Sequence, residues 1–134
     1  MAQTGILAVV QSDLQLIVRL QALAERLGVR HAMARSADEA ILYFRGVGIY
    51  RQRHSYPLPD LVLLDSTNQD ASDLKVLSWL RDSDEFKNLP VGILCQEPQH
   101  DLHVLCALDP CSFIVDRTTL MEVPEILFRA ATVV

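Results

Sequence analysis

Three short runs of consecutive apolar residues constrain the fold of this chain more than any other feature of its sequence. They cover residues 6–10, 61–64 and 91–94. Runs of this length are too short for a buried helix, whereas strands covered on both faces of a parallel sheet consist of consecutive apolar residues. Residues 29–33 form a weaker strand candidate, and residues 113–115 form a last one. The sequence therefore predicts five strands.

Segments with helical spacing of apolar residues lie between these strand candidates. The first is predicted over residues 14–27, with Gly28 after its last leucine. The second begins at Ser36, has Glu39 three residues later as in a capping box, and ends at Gly46. A further helix is predicted after a polar loop that ends at Ser72, and it carries Leu74, Leu77, Trp79 and Leu80. Two more are predicted over residues 100–108 and 119–131. This alternation predicts an α/β domain, a doubly wound five-stranded parallel (βα)5 sheet in three α/β/α layers.

The composition fits one soluble domain over residues 1–134. Half of the residues are hydrophobic, and no apolar run approaches the ~20 residues that a membrane span needs. No signal-peptide pattern is visible at the N-terminus, and three cysteines are an odd number for a disulfide framework, so we expect reduced thiols and a cytoplasmic protein. A net charge of −5 argues against nucleic acid as a partner, and no membrane association is expected.

The charge is distributed unevenly along the chain. Residues 1–54 contain seven arginines and four acids, a balance of +3, whereas residues 55–134 contain five basic and 13 acidic side chains, a balance of −8. Part of the basic excess lies in one connection, where Arg45, Arg51 and Arg53 are followed by His54. This connection is interpreted either as a solvated loop or as a surface on which another protein docks.

The residues at the strand ends are the first candidates for a functional site. In a doubly wound sheet, the functional crevice lies beyond the carboxyl ends of the strands. The residues at these ends are Gln11, Ser12 and Asp13 after the first strand, then Asp65, Cys95 and Asp116 after the third, fourth and fifth. No glycine-rich phosphate loop follows Val10, which argues against a nucleotide-binding or flavodoxin-type enzyme.

One segment of the sequence resembles a known family. Tyr-Phe-Arg-Gly at residues 43–46, the stretch from Tyr56 to Asp65, and Val-Leu-Ser-Trp-Leu at residues 76–80 resemble the receiver domain of two-component response regulators. The resemblance is closest to the single-domain regulators associated with cyanobacterial and bacterial phytochromes. It implies a flavodoxin-like fold and a signalling function, with a sensor histidine kinase of the phytochrome type as partner.

The resemblance implies that Asp65 is the phosphoacceptor. In that family, two acids after the first strand hold Mg²⁺ together with the acceptor, a Ser or Thr ends the fourth strand, and a Lys ends the fifth. Here these positions are Gln11 and Ser12, Cys95, and Asp116, so the phosphorylation site is degenerate. Asp13 is either an Mg²⁺ ligand or the N-cap of the first helix, and Arg117 is the alternative replacement for the lysine.

Two further groups of residues follow from the resemblance and from spacing. Phe113 matches the aromatic residue that changes position on activation, and it is otherwise a core or interface residue. With Leu102 and Leu105 it lies on the face made by the fourth helix, fifth strand and fifth helix, which implies a homodimer. His100, His103 and Cys106 have the spacing of metal ligands, but the outer two lie about 120° apart on a helix, which favours surface histidines and a packed thiol.

The sequence thus predicts a pseudo-receiver, a protein-interaction module with little or no phosphorylation and no enzymatic activity of its own. It requires no cofactor in this interpretation. The alternative is an active receiver that a sensor histidine kinase phosphorylates on Asp65, with Mg²⁺ held by Asp65 and Asp13.

Overall fold

The structure is a computed structural model that describes residues 5–9, 14–65, 72–95, 109 and 111–116, with the backbone alone at residues 72–74 and 116. Five strands form a single parallel sheet in the order β2-β1-β3-β4-β5. This arrangement confirms the predicted α/β fold with its five-stranded, all-parallel sheet. The strands are β1 (Gly5–Val9), β2 (Arg30–Ala34), β3 (Leu61–Asp65), β4 (Val91–Cys95) and β5 (Ser112–Asp116).

Burial explains why some strands gave a clear sequence signal and β2 did not. Every residue of β1, β3 and β4 is buried, as expected for strands with neighbours on both sides. Strand β2 lies at an edge of the sheet, and its first two residues, Arg30 and His31, are exposed. The observed β2 begins and ends one residue later than the predicted run. The observed β5 is one residue longer than the predicted run at each end.

Three α-helices are described, and two of them end at a glycine in the left-handed region. They are α1 (Leu14–Leu27), α2 (Ala37–Arg45) and α3 (Ser72–Asp82). Each of them lies between two consecutive strands, as predicted. Gly28 has a φ of 69° and Gly46 a φ of 67°, a conformation that favours glycine because it has no Cβ. The predicted helices over residues 100–108 and 119–131 lie outside the described residues.

The N-terminus of α2 differs in one detail from the predicted capping box. The Ser36 hydroxyl accepts a hydrogen bond from the backbone N–H of Glu39 at 3.1 Å, as expected. The Glu39 carboxylate accepts from the backbone N–H of Arg35 at 3.0 Å, one residue before the cap that the standard box would reach. The second carboxylate oxygen accepts from the Tyr50 hydroxyl at 3.1 Å, so Glu39 also holds the chain that follows α2.

The sheet has an apolar layer on each face, because alternate residues of each strand point to opposite sides. One layer lies between the sheet and helices α2 and α3, and the other lies between the sheet and α1. The α2–α3 layer includes Leu7, Val9, Val62, Leu64, Val91, Ile93, Phe44, Val76, Leu80 and Phe86, while the α1 layer includes Ile6, Ala8, Leu61, Leu63, Leu94, Val115, Leu16, Leu20 and Leu23. Trp79 packs against the first layer.

The connection between α2 and β3 is an ordered part of the molecule. It begins with a short 3₁₀ helix, Gly48–Arg51, that the sequence did not predict. The rings of Tyr43, Tyr50 and Tyr56 form a cluster with centroid separations of 5.0 to 6.1 Å. The Tyr43 hydroxyl donates to the carbonyl oxygen of Pro57 at 2.8 Å. Tilted and edge-on aromatic contacts of this kind add to the burial energy, so the connection is fixed against α2.

Candidate functional site

The strand order places a topological switch point between β1 and β3. The chain moves from β1 to one side of the sheet to form β2, and returns to the other side of β1 to form β3. Ligands and reactive groups of doubly wound sheets lie at this point, outside the carboxyl ends of the strands. Asp65 is the last residue of β3 and therefore lies at the switch point, where the sequence placed the candidate site.

Asp65 is a buried acid, with 5 % of its surface exposed. It continues the alternation of Leu61 and Leu63, which places it on the α1 side of the sheet, and its Cα partner in β4 is Leu94. Asp65 interacts with at least one other residue in the structure. A buried carboxylate is costly unless neighbouring groups compensate its charge, so its neighbours at the other strand ends decide its chemistry.

Cys95 ends β4 and is buried. Its thiol donates a long hydrogen bond to the carbonyl oxygen of Val115, with 4.0 Å between sulfur and oxygen. It continues the alternation of Val91 and Ile93 and therefore lies on the α2–α3 side of the sheet. A thiol is a weak donor and a weak acceptor, so Cys95 binds an anionic oxygen less well than a serine or threonine hydroxyl in the same place.

Asp116 ends β5, and its backbone is in register with Cys95. Asp65 is in register with Leu94, which in turn pairs with Val115, so Asp116 lies two strands away from Asp65 and one residue further along. With about 4.8 Å between strands and about 3.3 Å per residue, the two Cα atoms are about 10 Å apart. The carboxyl ends of the three strands thus carry an acid, a thiol and a second acid.

Phe113 lies against an open position of the neighbouring strand. A Cβ added to Gly92 of β4 would meet the Phe113 ring at 3.0 Å, and the two residues are Cα partners. Phe113 also packs against the apolar layer on the α1 side. The absence of a side chain at Gly92 therefore creates the space that the ring occupies, and Phe113 is half-buried and packed inward against this layer.

The remaining predicted site residues lie outside the described residues. They are the three residues after β1, the two leucines of the expected dimer face, the three residues with the spacing of metal ligands, and the residue after Asp116. They are Gln11, Ser12, Asp13, Leu102, Leu105, His100, His103, Cys106 and Arg117. Their predicted roles remain predictions.

Sequence reasoning missed the role of Arg53, which lies inside the α2–β3 connection. Its guanidinium donates to the carbonyl oxygens of Tyr43 at 2.7 Å, Phe44 at 2.8 Å and Tyr56 at 3.3 Å. It also lies over the ring of Tyr43 at 5.8 Å from the centroid. Two of these carbonyls belong to the last turn of α2, where no further helical turn follows to supply donors, although the Tyr43 carbonyl also accepts from the Gly46 N–H at 3.2 Å. Arg53 thus stabilises the end of α2, unlike Arg45 and Arg51, which are exposed.

The aromatic cluster also changes the acid–base behaviour of two tyrosines. Burial raises the pKa of Tyr43 above the ordinary tyrosine value of 10.0, and the nearby Arg53 and Arg30 guanidiniums reduce this rise. Burial also raises the pKa of Tyr50, together with its hydrogen bond to the Glu39 carboxylate. Both phenols are therefore neutral hydrogen-bond donors at physiological pH.

A second interaction missed from the sequence joins α3 to the chain before β5. Arg81 Nε lies 2.6 Å from Asp109 Oδ2, and both side chains are mostly buried. The other Asp109 carboxylate oxygen accepts from the backbone N–H of Cys111 at 3.0 Å. Arg81 also donates to the carbonyl oxygen of Leu89 at 2.9 Å. No sequence signal could have paired residues 81 and 109, because neither belongs to a motif.

The described part of the chain contains neither a metal-ligating cluster nor a membrane-spanning helix. Among these residues, no group of three or more His, Cys, Asp or Glu side chains could hold a metal ion. None of the helices described is long and apolar enough to cross a membrane.

The strand order and the helices define a doubly wound, flavodoxin-like α/β domain with a buried acid at its switch point. No protein-family model and no curated protein matches the chain. Solved structures do match, and among them are response regulators and receiver domains.

Three of these structures illustrate the likeness. The bacteriophytochrome response regulator AtBRR has a TM-score of 0.76 at 21% identity, and the match covers 100% of this chain and 96% of that one. A two-component response regulator from Legionella pneumophila has a TM-score of 0.77 at 18% identity, with 98% and 100% covered. The phosphorylated cyanobacterial phytochrome response regulator RcpA has a TM-score of 0.69 at 20% identity, with 98% and 91% covered. The chain therefore has the receiver fold.

Proposed function

We propose that this chain is a two-component receiver domain that signals by binding other proteins, with little or no phosphorylation of Asp65 and no enzymatic activity of its own. The observation that carries the proposal is the acid at the end of β5, in register with a thiol at the end of β4. Both residues are the last of their strands, at the same carboxyl edge of the sheet as Asp65, where a phosphoryl group would have to be held. Neither residue type stabilises a dianion.

The geometry of the strand ends gives this argument a magnitude. At about 10 Å and an effective dielectric of about 20, one pair of unit charges interacts by on the order of 2 kcal/mol. A lysine at position 116 would do better than this, because its long side chain can bring an ammonium group into contact with the phosphoryl oxygens. An aspartate replaces that contact with a repulsion, so both the sign and the reach of the charge at position 116 oppose phosphorylation.

The residues that this chain has after β1 and at the end of β3 do not fit the Mg²⁺ site of a receiver domain. Mg²⁺ prefers near-octahedral coordination by oxygen, with carboxylates supplying charge. Asp65 is the carboxylate at the switch point, whereas the chain after β1 offers the neutral side chains of Gln11 and Ser12 before Asp13. The proposed function therefore includes no metal-dependent step.

The second candidate is an active receiver phosphorylated on Asp65 by a sensor histidine kinase. The specific observation in its favour is the position of Asp65 itself, which is an acid at the switch point of the receiver fold. A carboxylate that had lost all function could be replaced by many residues at the end of a buried strand. In this alternative, Asp13 supplies the second carboxylate for Mg²⁺ and Arg117 replaces the lysine.

The partners follow from the same proposal. A signalling protein, with a phytochrome-type sensor histidine kinase as the first candidate, is supported by the described structures of phytochrome response regulators with this fold. A homodimer is proposed through the face that carries Phe113, Leu102 and Leu105. Analytical ultracentrifugation of the protein and of a Leu102→Glu/Leu105→Glu variant tests the dimer, since a dimer of this kind should dissociate in the variant.

Phosphorylation followed by intact-mass measurement distinguishes the two candidates. The protein is incubated with acetyl phosphate or phosphoramidate and Mg²⁺, alongside Asp65→Asn as the negative control. The proposal predicts no stoichiometric adduct with the mass of one phosphoryl group. A stoichiometric adduct that is absent in Asp65→Asn would overturn it in favour of an active receiver.

A gain-of-function variant controls for an inactive reagent or a misfolded preparation. Cys95→Thr/Asp116→Lys restores a hydroxyl at the end of β4 and a cation at the end of β5. We expect this variant to accumulate more of the phosphorylated species than the wild-type chain under the same conditions. Equal modification of both chains would show that these two positions do not limit phosphorylation.

A further inference from the structure

An exposed surface that combines aliphatic and basic side chains lies where α2 ends and the 3₁₀ helix follows. We name it the α2-end patch, and it consists of Leu42, Arg45, Val47, Ile49 and Arg51. The exposed fraction is 40% for Leu42, 41% for Val47 and 62% for Ile49, and both arginines are exposed. These are three of the six large hydrophobic residues that are exposed in the described part of the chain. Concentrated exposed aliphatic surface is typical of a binding site.

The two arginines of the α2-end patch are free to meet an acidic partner. Neither the Arg45 nor the Arg51 guanidinium has a hydrogen-bond or ion-pair partner among the residues that the structure describes. The nearest acids on α2 are already engaged, Asp38 by Lys75 at 2.8 Å and Glu39 by Tyr50 at 3.1 Å. The patch is therefore basic within a chain whose net charge is −5.

Hydrogen bonds and aromatic packing hold the backbone of the α2-end patch in place. Gly46 turns the chain in the left-handed conformation and donates its N–H to the carbonyl oxygens of Leu42 and Tyr43. Arg53 binds carbonyls on both sides of the turn, and its guanidinium lies close to Gly46, at 3.1 Å from the position of a Cβ there. Tyr50 packs into the tyrosine cluster between the exposed residues. A surface ordered in this way loses little conformational entropy when a partner binds.

The position of the α2-end patch separates it from Asp65. Helix α2 starts after the carboxyl end of β2 and leads, through the 3₁₀ helix, to the amino end of β3. Asp65 is at the opposite, carboxyl end of β3. Binding at the patch therefore does not depend on the phosphorylation state of Asp65, and it extends the proposed function to a second surface.

We propose that the α2-end patch binds an amphipathic helix of another protein, with an aliphatic stripe flanked by Asp or Glu. The aliphatic stripe would cover Leu42, Val47 and Ile49, and the acidic side chains would pair with Arg45 and Arg51. Charge complementarity carries the choice of occupant, because two unpaired guanidiniums border the apolar surface on a preordered scaffold.

The other occupants fit the patch less well. A second copy of this chain would offer either the exposed acids Asp82, Asp84 and Glu85, beside which no large hydrophobic residue is exposed, or the exposed Leu14 and Val18 of α1. The exposed charges of α1 are Arg19, Glu25 and Arg26, so that helix brings more positive than negative charge to the two arginines of the patch. An anionic membrane would gain only two arginines and would repel a chain with a net charge of −5. An acidic helix with an apolar stripe matches both the charge and the aliphatic surface.

A selection experiment with the full chain tests the proposal. A display library of helical peptides with randomised surface positions is selected on the wild-type protein and counter-selected on Ile49→Asp. We expect the enriched peptides to carry aliphatic residues at helical spacing with Asp or Glu beside them. Enrichment without an acidic bias, or enrichment of basic peptides, would overturn the proposal.

Titration of the most enriched peptide, made synthetically, then assigns the residues. Arg45→Glu/Arg51→Glu and Ile49→Asp should each weaken binding at least tenfold, which is 1.4 kcal/mol or more. Arg19→Glu and Leu58→Asp are the matched controls, since they change an exposed arginine and an exposed leucine elsewhere and should leave the affinity within twofold. An equal loss in the control variants would overturn the assignment.

Two further measurements identify a competing occupant. Sedimentation of the wild-type chain and of Ile49→Asp reports self-association through the patch, and flotation with vesicles of anionic and neutral lipids reports membrane binding. The proposal predicts no difference between the two chains in either assay. A patch-dependent dimer or patch-dependent vesicle binding would show that the occupant is a second copy or a membrane. Phosphorylation of Asp65 leaves all of these outcomes unchanged, so the two proposals fail separately.

Discussion

Breaking the mostly buried ion pair between Arg81 and Asp109 is expected to cost far more stability than breaking the exposed pair between Lys75 and Asp38. The distances are similar, 2.6 Å and 2.8 Å, but the side-chain exposure is 19% and 13% in the first pair against 59% and 79% in the second. Removing one partner of a buried pair costs about 3–5 kcal/mol, because the remaining charge stays buried. Exposed pairs contribute about 0–1 kcal/mol.

The perturbation is Arg81→Met, with Lys75→Met in the same helix as the matched control. Methionine keeps an unbranched apolar side chain and removes the charge. Arg81→Met leaves Asp109 without its cation and the Leu89 carbonyl without its donor at 2.9 Å. Because both side chains of the pair retain some exposure, we expect a loss of about 2–4 kcal/mol, against less than about 1 kcal/mol for Lys75→Met.

Asp109→Asn separates charge from packing in the same pair. An asparagine oxygen can still accept from the Cys111 N–H, which Asp109 binds at 3.0 Å, while the negative charge is lost. In the wild-type background this change should cost about 2–3 kcal/mol, and in the Arg81→Met background less than about 1 kcal/mol. The difference between the two costs is the coupling between Arg81 and Asp109.

Urea unfolding is the assay, followed by the fluorescence of Trp79, which is the single tryptophan, and by far-ultraviolet circular dichroism. The free energies come from linear extrapolation, and coincident transitions by the two probes would establish two-state unfolding. Equal losses for Arg81→Met and Lys75→Met, or a coupling below about 0.5 kcal/mol, would refute the reasoning that burial decides the contribution of these pairs.

Three other predictions concern the β4–β5 contact and the α2–β3 connection. Gly92→Ala should lower stability by about 1–3 kcal/mol in urea unfolding, because the new methyl group meets the Phe113 ring at 3.0 Å, and Phe113→Leu in the same chain should recover part of the loss. Since burial raises the Tyr43 pKa in the folded state, the unfolded chain ionises first, so stability should fall as the pH rises above 10.0; Tyr43→Phe should flatten that alkaline decline, and an unchanged slope would contradict this. Arg53→Lys should lower stability by about 1–2 kcal/mol because one ammonium cannot replace a fork that binds three carbonyls, whereas Arg51→Lys should change it by less than about 0.5 kcal/mol.

The predicted strands and helices were confirmed where the structure describes them, for reasons of local pattern. Strands β1, β3 and β4 are apolar at every position because both of their faces are covered, and the periodicity of Leu16, Leu20 and Leu23 follows the buried side of α1. The edge strand β2 was the weakest prediction, because Arg30 and His31 face solvent and interrupt the apolar run. Its position became definite only through its pairing with β1.

The location of the candidate site could also be predicted, because parallel strands bring their carboxyl ends to one edge. That rule, applied to the sequence, is enough to place Asp65, Cys95 and Asp116 at a common edge. It could not give the distance between Asp65 and Asp116, which depends on the strand order and register. It also could not show that Phe113 lies in the space left by Gly92, since these residues are 21 positions apart and become neighbours only in the sheet.

The sequence by itself determined which segments are strands and helices and which residue types stand at the strand ends, because both depend on residues close together in the chain. The tertiary structure alone decided the roles of the arginines between α2 and β3. In the sequence, Arg45, Arg51 and Arg53 form one basic connection. In the fold, Arg53 turns inward to the carbonyls at the end of α2, while Arg45 and Arg51 remain exposed. The physical reason is that unsatisfied carbonyls at a helix end bind whichever donor the path of the following chain brings to them.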